Sequence, residues 1–330
     1  MWNIIGHQWA LDLLSRSLAA GRLAQSYLFT GPAGVGKTHL ALQLAAAVNC
    51  QGDEPPCGRC RACLQTAAGA HPDVSLVLPD EGRLKIEQMR NLQHDLALSP
   101  VMGRWRVCII VDFHTATVEA ANALLKTLEE PPARALLILT AGDANLLLPT
   151  ILSRCQVLAL RGVPAGEIEA ALVADYGQER AAARALARLS AGCAGWAVRA
   201  AQDPAVLAQR GERMAELADL LHAGRAGRIR AAENLAERKD LAQVLAFWQA
   251  WWRDVMLIGR GCPDLAANLD LLPGLEEAAA ECSPEVAEAA VRGCVAALQQ
   301  LEQNVNPRLA VEVLLLGWAR LRTFQAVGAI

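Results

Sequence analysis

The residues able to do chemistry in this sequence gather in three places: a glycine-rich stretch, an aspartate closing an apolar run, and a cluster of cysteines. The stretch Gly31-Pro32-Ala33-Gly34-Val35-Gly36-Lys37-Thr38 fits G-x-x-x-x-G-K-[ST] in full. In such a loop Gly31, Gly34 and Gly36 let backbone N–H groups turn inward around phosphate oxygens, and the helix that follows adds the positive end of its dipole. Lys37 would reach the β and γ phosphates, and Thr38 would ligate Mg²⁺ through its hydroxyl, which points to ATP with Mg²⁺ as the ligand. A structural glycine turn is the bland alternative. A strand pattern before the loop and a helix pattern after it favour phosphate binding instead.

Val107-Cys108-Ile109-Ile110-Val111-Asp112 reads as a buried strand ending in a carboxylate that helps to hold Mg²⁺. Hydrolysis also needs a group that orients the attacking water, and the next residue, Phe113, can neither accept a proton nor orient water. His114 is a substitute base on one reading and a packing residue on the other, and Glu119 reads as a solvated helix residue. Cys50, Cys57, Cys60 and Cys63 form C-x₆-C-x₂-C-x₂-C, four soft thiolates suited to a tetrahedral structural Zn²⁺; free thiols on a short helix are the alternative. No H-x-E element precedes the C-x-x-C pair, which excludes a zinc deaminase. The other six cysteines read as small core residues.

These groups need a scaffold, and the chain alternates helix and strand patterns over its first ~160 residues. Apolar runs at Tyr27–Thr30, Val74–Leu78, Val107–Val111, Leu136–Leu139 and Val157–Leu160 predict strands. Helical spacing at Leu11, Leu14 and Leu18, along Lys37–Val48, and around Ile86–Leu96 and Val118–Leu128 predicts helices between most of them. The fold class is therefore α/β, a parallel sheet with helices on both faces. After Arg161-Gly162-Val163-Pro164 strand signals disappear: residues 163–205 read as a small helical domain and 206–330 as an all-helical one. Trp248, Trp251 and Trp252, beside Phe247, follow i, i+3, i+4 spacing, which serves a bundle core and a subunit interface equally well. The leucines from Leu309 through Leu316 to Leu321 read as bundle core, with contacts to other subunits as the functional alternative, and the basic stretch Arg225–Arg230 reads as a solvated helix face.

Of the 330 residues, 53% are hydrophobic and 20% charged, enough apolar material for real cores. Aromatics are only 4%, and alanine and leucine dominate, which favours helix. The net charge of −3 gives no general basic footprint, so any contact with DNA would come through a local patch or within an assembly. Met1-Trp2-Asn3-Ile4-Ile5-Gly6-His7 lacks the basic-then-apolar pattern of a secretion signal, and no apolar run reaches the ~20 residues of a membrane span. The expected location is the cytoplasm, with no membrane contact, where ten cysteines argue for thiols or a metal rather than disulfides.

Several segments together resemble the AAA+ clamp-loader family. They are the phosphate loop, the cysteine knuckle after its helix, the helix Asn122-Ala123-Leu124-Leu125-Lys126-Thr127-Leu128-Glu129-Glu130-Pro131-Pro132, and Ser153-Arg154-Cys155 after Leu148-Pro149-Thr150-Ile151-Leu152. The resemblance implies an AAA+ domain over 1–162 with a zinc knuckle at 50–63, a helical lid over 163–205 and a helical collar over 206–330. It implies that Arg154 acts as a finger on a neighbouring subunit's ATP, where a surface ion pair would be the reading of an isolated arginine. It further implies that Thr140 stands at the first sensor position, Arg199 resembles the lid's sensor arginine, and Arg90 faces the DNA backbone.

Within the family the accessory branch is favoured. Motor members carry D-E-x-H where this chain has Asp112-Phe113-His114-Thr115, and His71-Pro72-Asp73, Ile86-Glu87-Gln88-Met89-Arg90 and Asn304–Glu312 resemble the accessory version. The implied role is a stator in a five-membered ring with motor subunits and a delta subunit. That ring loads a sliding clamp on primed DNA during replication by DNA polymerase III. The stator meets the clamp indirectly and primer-template DNA only in the assembled complex, and hydrolyses little or no ATP itself. The competing reading is an ATP-hydrolysing motor subunit or another AAA+ ATPase. A stand-alone zinc-dependent nucleic-acid binder fits neither the charge nor the full pattern.

Overall fold

β-Branched and leucine-rich runs bounded by glycine, proline and aspartate form the five strands of one parallel sheet. The computed structural model describes residues 2–268, 271–302 and 305–321. In chain order the first part comprises α1 (Gln8–Ala19), β1 (Ser26–Thr30), α2 (Lys37–Val48), α3 (Arg61–Ala67), β2 (Val74–Val77), α4 (Ile86–Ala97), β3 (Arg106–Ile110), α5 (Val118–Glu129), β4 (Ala135–Ala141), α6 (Pro149–Leu152) and β5 (Gln156–Ala159). The strands lie in the order β2-β3-β4-β1-β5, every pair parallel. The strand–helix alternation of the sequence thus closes into a single five-stranded parallel sheet, with an apolar core on each face. Leu40, Leu44 and Val48 pack with Tyr27, Phe29 and Ile109 on one side. Leu92, Leu124 and Leu128 pack with Leu28, Ile110 and Leu139 on the other.

Parallel pairing has a consequence for chemistry: all C-terminal strand ends share one edge of the sheet, and all N-terminal ends the other. The loop after β1, the residues after β3 and the end of β4 therefore meet on one edge. The turn before β5 and the end of α5 lie at the opposite one.

After β5 the chain is helical: α7 (Ala165–Tyr176), α8 (Arg180–Leu189), α9 (Ala194–Gln202), α10 (Pro204–His222), α11 (Arg225–Ala236), α12 (Leu241–Gly259), α13 (Leu272–Glu281), α14 (Pro284–Glu302) and α15 (Pro307–Gly317). The chain divides into two compact units, one of residues 1–171 with 192–196, the other of 172–191 with 197–330. In the second unit Trp248, Trp251 and Trp252 are fully buried, and Trp248 and Trp252 meet Trp318 edge-on at 5.3 and 5.7 Å. Of the two readings of that cluster, the bundle core is the one realised.

Three expectations are corrected here. Arg228, read as part of a solvated face, is buried; its guanidinium donates to the carbonyl oxygens of Leu220, Leu221, Leu315, Trp318 and Ala319. Helix ends leave carbonyls without partners, and a planar five-donor fork can satisfy several at once. Burial holds this guanidinium below its ordinary pKa, with Arg320 adding to the effect. Leu309 and Leu316, read as core, are exposed on α15, whereas Leu314, Leu315 and Leu321 are buried. Cys262, grouped with the core cysteines, is exposed, because it follows the Gly261 turn rather than a helix face. Asn304, at the head of the Asn304–Glu312 segment, lies outside the described residues.

Candidate nucleotide site and arginine turn

The glycine loop leaves β1 and enters α2 as the spacing predicts. Gly31 sits at φ 139°, where a Cβ would run into the Leu160 carbonyl oxygen, so only glycine fits. Gly31 N–H donates to Gly142 O (3.1 Å), tying the loop to the residue after β4. Gly36, at φ 117°, caps α2, and its carbonyl accepts from Leu40 N–H at 2.9 Å. The first amides of α2 are thereby left facing the loop, as anion binding requires. Gly195 N–H donates to Gly34 O (2.8 Å), seating the start of α9 on the loop.

Lys37 is buried, and its ammonium donates to Gly31 O (2.6 Å) and Pro32 O (3.0 Å). Burial lowers its pKa, against the opposing pull of Asp112 and Cys193. Phosphate oxygens would replace those carbonyls as acceptors, at a place where a desolvated cation attracts anions strongly. Thr38 is half-buried at the next position of α2.

Asp112 stands on the same edge, two residues beyond β3. It adopts a left-handed conformation (φ 51°, ψ 51°), and its N–H donates to Thr140 Oγ1 at 3.0 Å. Thr140 is fully buried on β4, paired in register with Phe29 of β1. The structure thus brings together Gly31, Gly34, Gly36, Lys37, Thr38, Asp112 and Thr140. Arg199 lies exposed in the last turn of α9, in the second unit.

The turn after Asp112 sends Phe113 inward. Its ring is 1% exposed, in the core with Leu84, Met89, Leu92 and Leu124. The residue that follows Asp112 therefore faces the core and presents no polar group to the loop. His114 is half-buried with Nδ1 lacking an acceptor or donor among the described residues. Burial lowers its pKa, Asp112 opposes that, and Lys37 adds to it. Glu119 is exposed near the start of α5, its carboxylate held below the ordinary range by backbone N–H and by Thr117.

The cysteine knuckle follows α2. The Sγ atoms of Cys50, Cys57, Cys60 and Cys63 all lie within 4.8 Å of one another, and Cys50 and Cys60 are 4.0 Å apart. Metal–sulfur bonds of ~2.3 Å in a tetrahedron place sulfurs just under 4 Å apart, so the group fits one ion. Backbone N–H groups of Gly52, Cys57, Cys60 and Cys63 point at the sulfurs of Cys50, Cys50, Cys57 and Cys60 at 3.3 to 3.5 Å. Backbone donors pull the Cys57 thiol down to about 6, toward the thiolate a metal needs. Cys63 Sγ lies 3.9 Å from Ala46 O, so the knuckle rests on the helix that the loop begins.

Arg154 sits on the opposite edge. It follows α6 and precedes β5 by two residues, with Tyr27 level with Gln156 and Thr30 level with Ala159. It therefore lies about six residues of strand, ~20 Å, from the phosphate loop of its own chain. Its Nε donates to Glu129 Oε1 at 2.9 Å, Nη2 donates to the same oxygen, and Nη1 donates to Thr150 O (2.8 Å) and Ser153 Oγ (3.1 Å).

Some residues with evident roles carried no chemical signal in the sequence. His7 is buried with Nε2 3.1 Å from Val35 O, supporting the loop from behind. Asp73 accepts from the N–H groups of Val101, Met102 and Gly103 at 2.6 to 2.8 Å. Burial raises that carboxyl, and the three amides together outweigh it, leaving it below its ordinary value. His71-Pro72-Asp73 is thus a loop anchor. Arg90 is exposed on α4.

Comparisons with known proteins bear on which family the chain belongs to. The family described as "DNA polymerase III, delta subunit" matches residues 6–164, and "DNA polymerase III, delta subunit, C terminal" matches 204–320. The delta-prime subunit of Bacillus subtilis DNA polymerase III is 30% identical over 328 residues, covering 93% of this chain and 94% of that protein. The tau subunits of Salmonella typhimurium and Escherichia coli are 36% identical over 168 residues; these cover 50% of this chain but only 26% of theirs. Among solved structures, a gamma subunit-related protein of DNA polymerase III from Thermotoga maritima aligns over 94% of this chain and 99% of its own, at 20% identity and a TM-score of 0.49.

Proposed function

This chain belongs to the delta-prime family of DNA polymerase III subunits, and from that premise we propose that it is the accessory stator of a clamp loader, supplying Arg154 to a neighbouring subunit's ATP. The observation that carries the reading is the placement of Arg154 a strand's length from its own phosphate loop. A guanidinium at that edge cannot serve the chain's own nucleotide. It is available to a phosphoryl group held by another subunit, where an arginine of this kind contributes ~10³-fold or more to turnover.

The chain's own site grips without cleaving. Gly31, Gly34, Gly36, Lys37 and Thr38 would hold the phosphates, Asp112 would help to hold Mg²⁺, and Thr140 fixes the backbone of Asp112. No carboxylate follows Asp112, because Phe113 is committed to the core. Arg199 is assigned to the lid as a phosphate-sensing cation. The knuckle is assigned a structural Zn²⁺ held by Cys50, Cys57, Cys60 and Cys63, with stability rather than reaction chemistry as its contribution. We divide the chain at 162 and 205 into AAA+, lid and collar domains. The C-terminal family match, beginning at 204, supports the second boundary.

The partners are motor subunits and a delta subunit in a five-membered ring, with the sliding clamp met indirectly and primer-template DNA only in the assembly. Leu309, Val313 and Leu316, exposed at i, i+4, i+7 on α15, offer an apolar stripe for collar contacts. We assign the chain to the cytoplasm with that machinery; no helix of the described residues is long and apolar enough to cross a membrane. ATP turnover by the purified chain tests the stator reading. We expect nucleotide binding that Lys37→Ala abolishes, and no turnover above background. Steady turnover abolished by Lys37→Ala would make the chain a motor.

A further inference from the structure

We infer that Glu129 is a positioning residue for Arg154, holding the guanidinium in the pose that a neighbouring subunit's phosphate meets; this rests on the trans-acting reading of Arg154. Glu129 closes α5, where Glu130-Pro131-Pro132 ends the helix, on the same sheet edge as Arg154. One carboxylate oxygen accepts from both Nε and Nη2 of Arg154, while Thr150 O and Ser153 Oγ accept from Nη1 on the other side. Four of the five guanidinium N–H groups thus have acceptors on the chain itself, and one on Nη2 has none among the described residues.

The pair does not exist for stability. Its side chains are 30% and 50% exposed, and ion pairs so placed contribute little to folding. What it does supply is orientation. An exposed arginine otherwise samples many rotamers, and fixing its plane from two sides spares the assembly that ordering cost when it closes on the phosphate. Glu130, the next residue, is also exposed and carries the same charge, so it separates orientation from electrostatics.

The test is a double-mutant cycle on ATP turnover by the reconstituted assembly. Glu129→Ala should lower kcat by about tenfold to a hundredfold with KM little changed. Glu129→Gln, which keeps the Oε1 acceptor, should recover most of it, and Glu130→Ala should turn over like the unaltered chain. In an Arg154→Ala background, adding Glu129→Ala should cost nothing more. The inference is overturned if Glu129→Ala leaves or raises turnover, if Glu130→Ala matches its effect, or if its loss persists undiminished without Arg154. Should Arg154→Ala itself leave turnover intact, the trans-acting reading falls first. Thermal unfolding of the isolated Glu129→Ala chain, expected at an unchanged midpoint, separates these outcomes from misfolding.

Discussion

The phosphate loop and the arginine turn occupy opposite edges of one parallel sheet, and they are built on different principles. The loop is fixed from beneath: Gly31 and Gly36 in conformations open to glycine, Thr140 fully buried, His7 behind Val35, Phe113 sunk in the core. The arginine turn is fixed at the surface by polar groups alone, through Glu129, Thr150 and Ser153. A rigid cradle suits holding a ligand, whereas a half-exposed cation, oriented but reachable, suits acting on a ligand that another subunit holds. On the proposed reading, the two halves of an ATPase site are present in one chain, at opposite edges of its sheet.

That comparison can be broken from the loop side. The largest expected effect is metal removal, since ion binding by a cysteine quartet contributes on the order of 10 kcal/mol. Cys57→Ser with Cys60→Ser should abolish bound metal by elemental analysis, lower the thermal midpoint and weaken nucleotide binding, because the knuckle rests on α2 at Ala46. Loss of assembly turnover with nucleotide affinity intact would instead tie the knuckle to the arginine side.

Next is Phe113→Ala, expected to cost about 3–5 kcal/mol by denaturant unfolding, as for a fully buried aromatic. Its companion, Phe113→Glu, should be destabilised as well and gain no ATP turnover, because the position faces the core. Turnover in that variant would mean that the side chain reaches the phosphates after all. The smallest effect is Thr140→Val, which leaves the half-buried Asp112 N–H without its acceptor and should cost about 1 kcal/mol with weaker Mg²⁺–nucleotide binding.

The legible parts of this molecule were those written in local patterns. Glycine spacing announces the loop because the backbone conformation there admits almost nothing else, and apolar runs announce the strands, of which the central β1, β3 and β4 are buried on both faces. The four cysteines announce a candidate metal site because their reach is set by short spacings, and the fold brings all four together. What could not be read depends on partners distant in sequence. Arg228 looks like a solvated cation until Leu315, Trp318 and Ala319 bring their carbonyls to it. The tryptophans are core rather than interface because Trp318 closes over them. Phe113 could be seen to lack a carboxylate, but its inward direction follows from the left-handed turn at Asp112. The support of Arg154 by Glu129 joins two motifs that the sequence presents separately.

The central claim is that this chain's catalytic contribution leaves through Arg154 rather than through its own loop. The most direct measurement is ATP turnover by the reconstituted assembly carrying Arg154→Ala, with nucleotide binding by the isolated variant followed in parallel. The account predicts turnover lower by about 10³-fold, the scale of an arginine finger, while the isolated chain binds nucleotide as before. Unchanged turnover by that assembly would contradict it.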